Sequence, residues 1–140
     1  MTRSDPHAAM PIEGAESARS SDRAALVLVH GRGASAREML GFAESLAAHG
    51  VRLLAPQAAG HTWYPQRFLA PLEANEPWLT SALAKLGAIT ATLEADGIRS
   101  DRIVWFGFSQ GACLASEFVA RNPRRWGGLI AAVGGRIGPP

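Results

Sequence analysis

Only one cysteine, Cys113, occurs in the 140 residues, so no internal disulfide can form and folding calls for no oxidising compartment. Charge is sparse too: 19% of residues carry it, the net is +2, and arginines such as Arg3, Arg32, Arg67, Arg99 and Arg124 are scattered along the chain. Without a dense basic run there is no footprint for a phosphate backbone, and nucleic acid is not an expected partner. No apolar stretch is long enough to span a bilayer, and the opening MTRSDPHAAMPIEGAESARSSDR lacks the hydrophobic segment of an export signal. The expected location is therefore cytoplasmic, with no membrane span. The four histidines lack metal-ligand spacing and one cysteine is too few for a metal site, so neither metal nor cofactor is expected.

What remains is apolar material, 47% of the chain, enough for one compact core. Residues 1–23 are small and polar and read as a flexible leader, because they bury too little apolar area to offset their ordering entropy. From Ala24 the pattern changes. AALVLVH, VRLLAPQ (51–57), DRIVWFGF (101–108) and WGGLIAAVGG are short apolar runs suited to strands covered on both faces. Between them, SAREMLGFAESLAAHG sets Met39, Leu40, Phe42, Leu46 and Ala47 at helical spacing, with Ser35 as N-cap and Gly50 as terminator. EPWLTSALAKLGAITATLEADG sets Trp78, Leu79, Leu83, Leu86, Ile89 and Leu93 on one stripe, with Asn75 expected to cap it. SQGACLASEFVARN ends before Pro123. Alternation of this kind predicts an α/β chain, a three-layer α/β/α sandwich around a mainly parallel sheet, with the ligand site along the strands' C-terminal edge. Three features gather there: the HGRGAS turn, the aromatic loop from His61 to Phe68, and Ser109.

Gly107, Phe108, Ser109, Gln110 and Gly111 spell GxSxG between a predicted strand and a predicted helix. An abrupt strand-to-helix turn at Ser109 strains the backbone, and only glycine avoids collision two residues to either side. The product is an exposed hydroxyl at a helix N-terminus, where free amides and the helix dipole favour negative charge. The backbone N–H of Gln110 then faces a developing oxyanion, and the turn after the first strand offers the amide of Arg32 as second donor. Taken alone, GxSxG marks an ordinary tight turn; the flanking strand and helix are what favour a nucleophile. Cys113, one turn further on, reads as a small core residue.

These residues resemble an α/β-hydrolase, in the carboxylesterase/phospholipase branch that includes acyl-protein thioesterases and dienelactone-hydrolase-like esterases. LVLVHGRGAS, VRLLAPQAAGHTWYP, VWFGFSQGACLASEF and GGLIAAVGG carry the resemblance across residues 24–140. It implies a serine hydrolase of carboxylic or thio esters, with Ser109 as nucleophile and the Arg32 and Gln110 amides as oxyanion donors. The expected partner is a small-molecule ester, bound beside His30, Gly31, His61, Trp63 and Tyr64, whose aromatic members suit an apolar acyl or aryl group.

One departure matters. The fold supplies its triad in the order Ser, Asp, His, yet no His and no Asp follows Ser109; Glu117 is the only acid there. His61 sits on the right edge to be weighed as a base, whereas His30 reads as a backbone partner of its turn, His7 lies in the leader and His49 near a helix end. The expectation is a domain truncated after its fourth recognisable strand, its C-terminal part and the triad's Asp and His missing, feeble alone, and with an unpaired sheet edge that invites a homodimer. Two rivals are weighed against this. Gly31, Gly33 and Ala36 fit GxGxxA, but VRLLAPQ ends without the acid that would hold a ribose. A non-catalytic binding module of the same fold remains the alternative.

Overall fold

The computed structural model describes residues 5–44, 50–135 and 137–139. The four apolar runs form strands β2 (Ala24–Val29), β3 (Val51–Pro56), β4 (Ile103–Phe108) and β5 (Gly128–Ala132), all mutually parallel, preceded by a two-residue strand β1 (Ile12–Glu13) antiparallel to β3. The order across the sheet is β1-β3-β2-β4-β5. Helix α1 (Ala36–Glu44) covers one face, packing Ala36 and Ala43 on Leu28 and Ala55. Helices α2 (Trp78–Ala95) and α3 (Gln110–Arg121) cover the other, where Leu79, Leu86, Ile89, Leu114 and Phe118 meet Val27, Val29 and Trp105. Burial on both faces is what uninterrupted aliphatic runs provide for. The three-layer α/β/α sandwich is therefore present.

The chain leaves β2 for β3 on one side and returns through α2 to β4 on the other, so β2 and β4 are neighbours whose connections run in opposite directions. Their C-terminal ends make the crevice in which open α/β sheets bind ligands. β5 stands at the sheet's edge with Leu129 and Ile130 exposed. Among the described residues no helix is long and apolar enough to cross a membrane.

Three expectations change. Residues 5–23 are not a flexible leader: β1 pairs with β3, His7 is fully buried, and Asp22 meets Arg52 Nε at 2.9 Å inside the sheet's flank. Burial by itself would raise the Asp22 carboxyl's pKa, but hydrogen bonds from the Arg19 amide and the Arg52 guanidinium outweigh it and hold the group below the usual range. Polar anchoring does here what a count of apolar residues could not reveal. Asn75 does not cap α2; it is buried, and its side chain accepts from the Gln66 amide at 2.6 Å and donates to the Arg67 carbonyl. Glu76 takes the capping role, accepting the Thr80 amide at 2.9 Å. Phe42, placed on the core stripe of α1, is 55% exposed. Ser35 does cap α1, its hydroxyl accepting the Glu38 amide at 3.2 Å. Leu46, Ala47 and His49 lie outside the described residues.

Candidate active site

Ser109 occupies the corner between β4 and α3 with φ 55° and ψ −115°, a left-handed conformation that a residue with a Cβ adopts only when its surroundings impose it. The imposing contacts are close. The Ser109 amide donates to the Ala132 carbonyl of β5 at 2.8 Å, and its carbonyl accepts the Cys113 amide at 3.1 Å. Gly107 and Gly111 let the strand, the turn and the helix approach: a Cβ on Gly107 would stand 2.7 Å from the Ala112 Cα, and one on Gly111 would lie 2.6 Å from the His30 carbonyl oxygen. The side chain of Ser109 faces a cavity of about 750 Å³, walled by Arg32, Tyr64, Phe68, Leu69 and Val133.

The HGRG turn lies beside this corner, as a Cβ on Gly31 would be 3.0 Å from the Phe108 carbonyl and 3.4 Å from the Ser109 Cβ. β2 and β4 thus bring Gly31, Arg32, Ser109 and Gln110 together, as their register requires. The Arg32 side chain is exposed yet tied down. Its guanidinium donates to the carbonyls of Tyr64, Pro65 and Gln66 at 3.0 to 3.1 Å, fastening the aromatic loop across the cavity. Gln110 fastens the same loop from below: its buried amide accepts the Trp63 N–H at 2.8 Å and donates to the Tyr64 carbonyl at 2.9 Å. No sequence signal marks this clamp, because it depends on the side chain following Ser109 meeting a loop 46 residues away.

The remaining predicted ligand-binding residues divide. Tyr64 lines the cavity, and its phenol, pushed up by burial, has no hydrogen-bond partner among the described residues. His30 and Trp63 are wholly buried and do not line the cavity; Trp63 Nε1 donates to the His30 carbonyl at 2.8 Å and the two rings stack at 5.0 Å. Their expected contact with substrate is replaced by a part in holding the loop. His61 faces away, its ring on the Ala34 carbonyl and its own carbonyl accepting the Gly33 amide at 2.7 Å, so it braces the HGRG turn instead of approaching Ser109. Cys113 is buried as expected, its Sγ accepting the Gly135 amide. Among the described residues no cluster of His, Cys, Asp and Glu could hold a metal.

His7, read from the sequence as part of the leader, and His30, read as a backbone partner of its turn, hold the loop in one protonation state. His30 donates from Nδ1 to the Gly31 carbonyl and accepts the Ala58 amide on Nε2; His7 donates from Nε2 to the Trp63 carbonyl and accepts the Ala59 amide on Nδ1. Each imidazole must be neutral, since a second ring proton would face an amide N–H. Burial lowers both pKa values from the ordinary histidine range. The unfolded chain then binds more protons than the folded one below about pH 6.5, so stability drains as pH falls through that value, by about 1.4 kcal/mol for each unit of depression per histidine. Melting temperature is expected to drop between pH 7 and pH 5, and His7→Gln and His30→Gln to flatten that slope. An unchanged slope in the double variant would contradict the neutral-clamp assignment.

A family model described as serine aminopeptidase, S33, matches residues 20–134. No curated protein sequence matches the chain. Among solved structures, the phospholipase/carboxylesterase from Dyadobacter fermentans DSM 18053 is 41% identical with a TM-score of 0.83, covering 92% of this chain and 61% of its own. Esterase PE8 (24% identity, TM-score 0.69, 91% of this chain and 64% of that one) and Arabidopsis thaliana SOBER1 (20%, 0.67, 80% and 61%) share the fold. The chain thus spans less than two thirds of the length of these structures. With the match running through β2, the Ser109 corner and β5, the chain belongs to the α/β-hydrolase family that the serine aminopeptidase, S33, model describes.

Proposed function

We propose that the chain carries the nucleophile and oxyanion half of a serine hydrolase acting on carboxylic or thio esters. The observation behind this reading is the strained Ser109 corner at the N-terminus of α3, opening on a cavity walled by apolar and aromatic side chains. Ser109 Oγ attacks the ester carbonyl carbon and yields its proton to a base. The carbonyl oxygen becomes an oxyanion held by the Gln110 and Arg32 amides, and the alkoxide or thiolate leaves with a proton. Water then attacks the acyl-serine, releasing the acid and restoring the hydroxyl. The 41% identical phospholipase/carboxylesterase favours an ester over the peptide bond that the family description names. Within residues 1–140 no His or Asp follows Ser109, and neither the base nor the carboxylate that would orient it is assigned to a residue of this chain.

The same lack favours a second reading for residues 1–140 by themselves, a pocket that binds esters without turning them over. Added imidazole separates the two. With p-nitrophenyl butyrate, imidazole is expected to act as the absent base and leave a butyryl group on Ser109, seen by peptide mass spectrometry. A folded chain that binds the ester and gains no adduct would be a binding module. An adduct on another residue would remove Ser109 from the mechanism.

A further inference from the structure

Tyr64 is a buried residue of the loop between β3 and α2, and three side chains converge on its carbonyl oxygen. Arg32 Nη2 donates to it at 3.1 Å, Gln110 Nε2 at 2.9 Å and the Thr62 hydroxyl at 2.8 Å. A carbonyl oxygen offers two lone pairs, so three donors crowd it, and one of them is charged. The cluster closes on itself: Gln110 Nε2 also donates to the Thr62 hydroxyl oxygen at 3.1 Å, and Gln110 Oε1 accepts the Trp63 amide. The Arg32 guanidinium goes on to the carbonyls of Pro65 and Gln66.

Two of the three donors come from the two sides of the Ser109 corner. Arg32 belongs to the turn after β2, and Gln110 opens α3. These are the same residues whose backbone amides the proposed chemistry sets on the oxyanion. Neither amide donates to a carbonyl among the described residues, so neither N–H is itself held by an acceptor. Their side chains are held, and by one shared atom. We infer that the Tyr64 carbonyl is a joint between the two oxyanion amides, with the Arg32 guanidinium, the Gln110 carboxamide and the Thr62 hydroxyl as positioning groups. The inference rests on the oxyanion roles proposed above and adds that the two donors move as one unit. Such donors act through preorganisation, since an amide free to swing must be ordered at the moment of reaction.

NMR relaxation of the backbone amides reads the joint without any turnover. Arg32→Met removes every guanidinium bond at an exposed position and is expected to lower the order parameter of the Gln110 N–H from about 0.85 towards about 0.6. Gln110→Met is expected to loosen the Arg32 N–H in the same way. Imidazole-assisted transfer of butyryl from p-nitrophenyl butyrate to Ser109 reads the consequence. Each variant is expected to slow acylation about tenfold at saturating ester with KM within about twofold, because the oxyanion forms only in the transition state. The double variant is expected to lose about tenfold as well, in place of the roughly hundredfold of independent contributions. Thr62→Val, which leaves the carbonyl two donors, is expected to lose about threefold, and Thr62→Ser to restore it. Should Gln110→Met, at a buried position, fail to fold, Thr62→Val takes its place in the cycle with Arg32→Met. A Gln110 amide as rigid in Arg32→Met as in the parent, or losses that multiply in the double variant, would overturn the joint. A parent protein that takes no butyryl group on Ser109 counts against the nucleophile instead, and the relaxation data still decide the joint.

Discussion

Ser109→Ala is expected to end phosphonylation by a fluorophosphonate ester and to reduce imidazole-assisted turnover of p-nitrophenyl butyrate to that of imidazole in free solution. The reason is chemical: Ser109 carries the hydroxyl at the corner of β4 and α3, where the backbone holds it exposed at φ 55°. In a polypeptide that also carries the base, losing the nucleophile costs about 10⁶ in turnover, since attack and proton transfer act as a unit. On the function proposed above, residues 1–140 without added base draw only on binding and the Gln110 and Arg32 amides, for an expected residual advantage of about 10³ to 10⁴ over water. The hydroxyl faces the cavity and bonds to nothing in the core, so the variant's stability should shift by no more than about 0.5 kcal/mol. Equal labelling of both proteins would dispose of the nucleophile.

Gly111→Ala is the largest expected loss of stability. The added methyl would overlap the Val29 carbonyl oxygen and approach the His30 carbonyl to 2.6 Å, where β2 and the first turn of α3 touch backbone to backbone. Neither partner can yield as a flexible side chain would. Relieving the overlap means prising α3 from the sheet, at about 3 kcal/mol or more, a lowering of the melting temperature of about 10 °C for a chain of this size. Gly107→Ala, against Gly111 and Ala112, is expected to behave alike. Gly41→Ala supplies the contrast: it lies inside α1, nothing stands within 4 Å of its added methyl, and helix propensity should raise stability by about 0.5 to 1 kcal/mol. If Gly111→Ala melts with the parent protein, the close approach of strand and helix is not as described.

Much of the scaffold was legible because its signals are local. AALVLVH, VRLLAPQ and the run from Ile103 to Phe108 are apolar throughout, and a strand covered on both faces has no other way to be written. The GxSxG corner was legible for the same reason, its steric demands falling on residues two positions away. The second half of the site was not. His7 and Gln110 reach the loop at Ala59 to Tyr64 across 46 to 56 residues, and Arg32 reaches it across 32 to 34. Nothing in the neighbourhood of those residues distinguishes a clamp from a solvated side chain. His30 and Trp63 were placed on the right edge but at the wrong depth, because an aromatic loop at the strands' C-terminal edge can either wall the pocket or prop up its floor.

From the order of residues alone came the alternation of strands and helices, the parallel sheet and the serine raised at the end of β4, since each depends on backbone sterics and periodicity within a few positions. The packing of residues 5–23 onto the sheet and the neutral histidines beneath the loop were decided only in three dimensions. Each arises where polar groups distant in the chain satisfy one another's hydrogen bonds, and such pairing leaves no period to read.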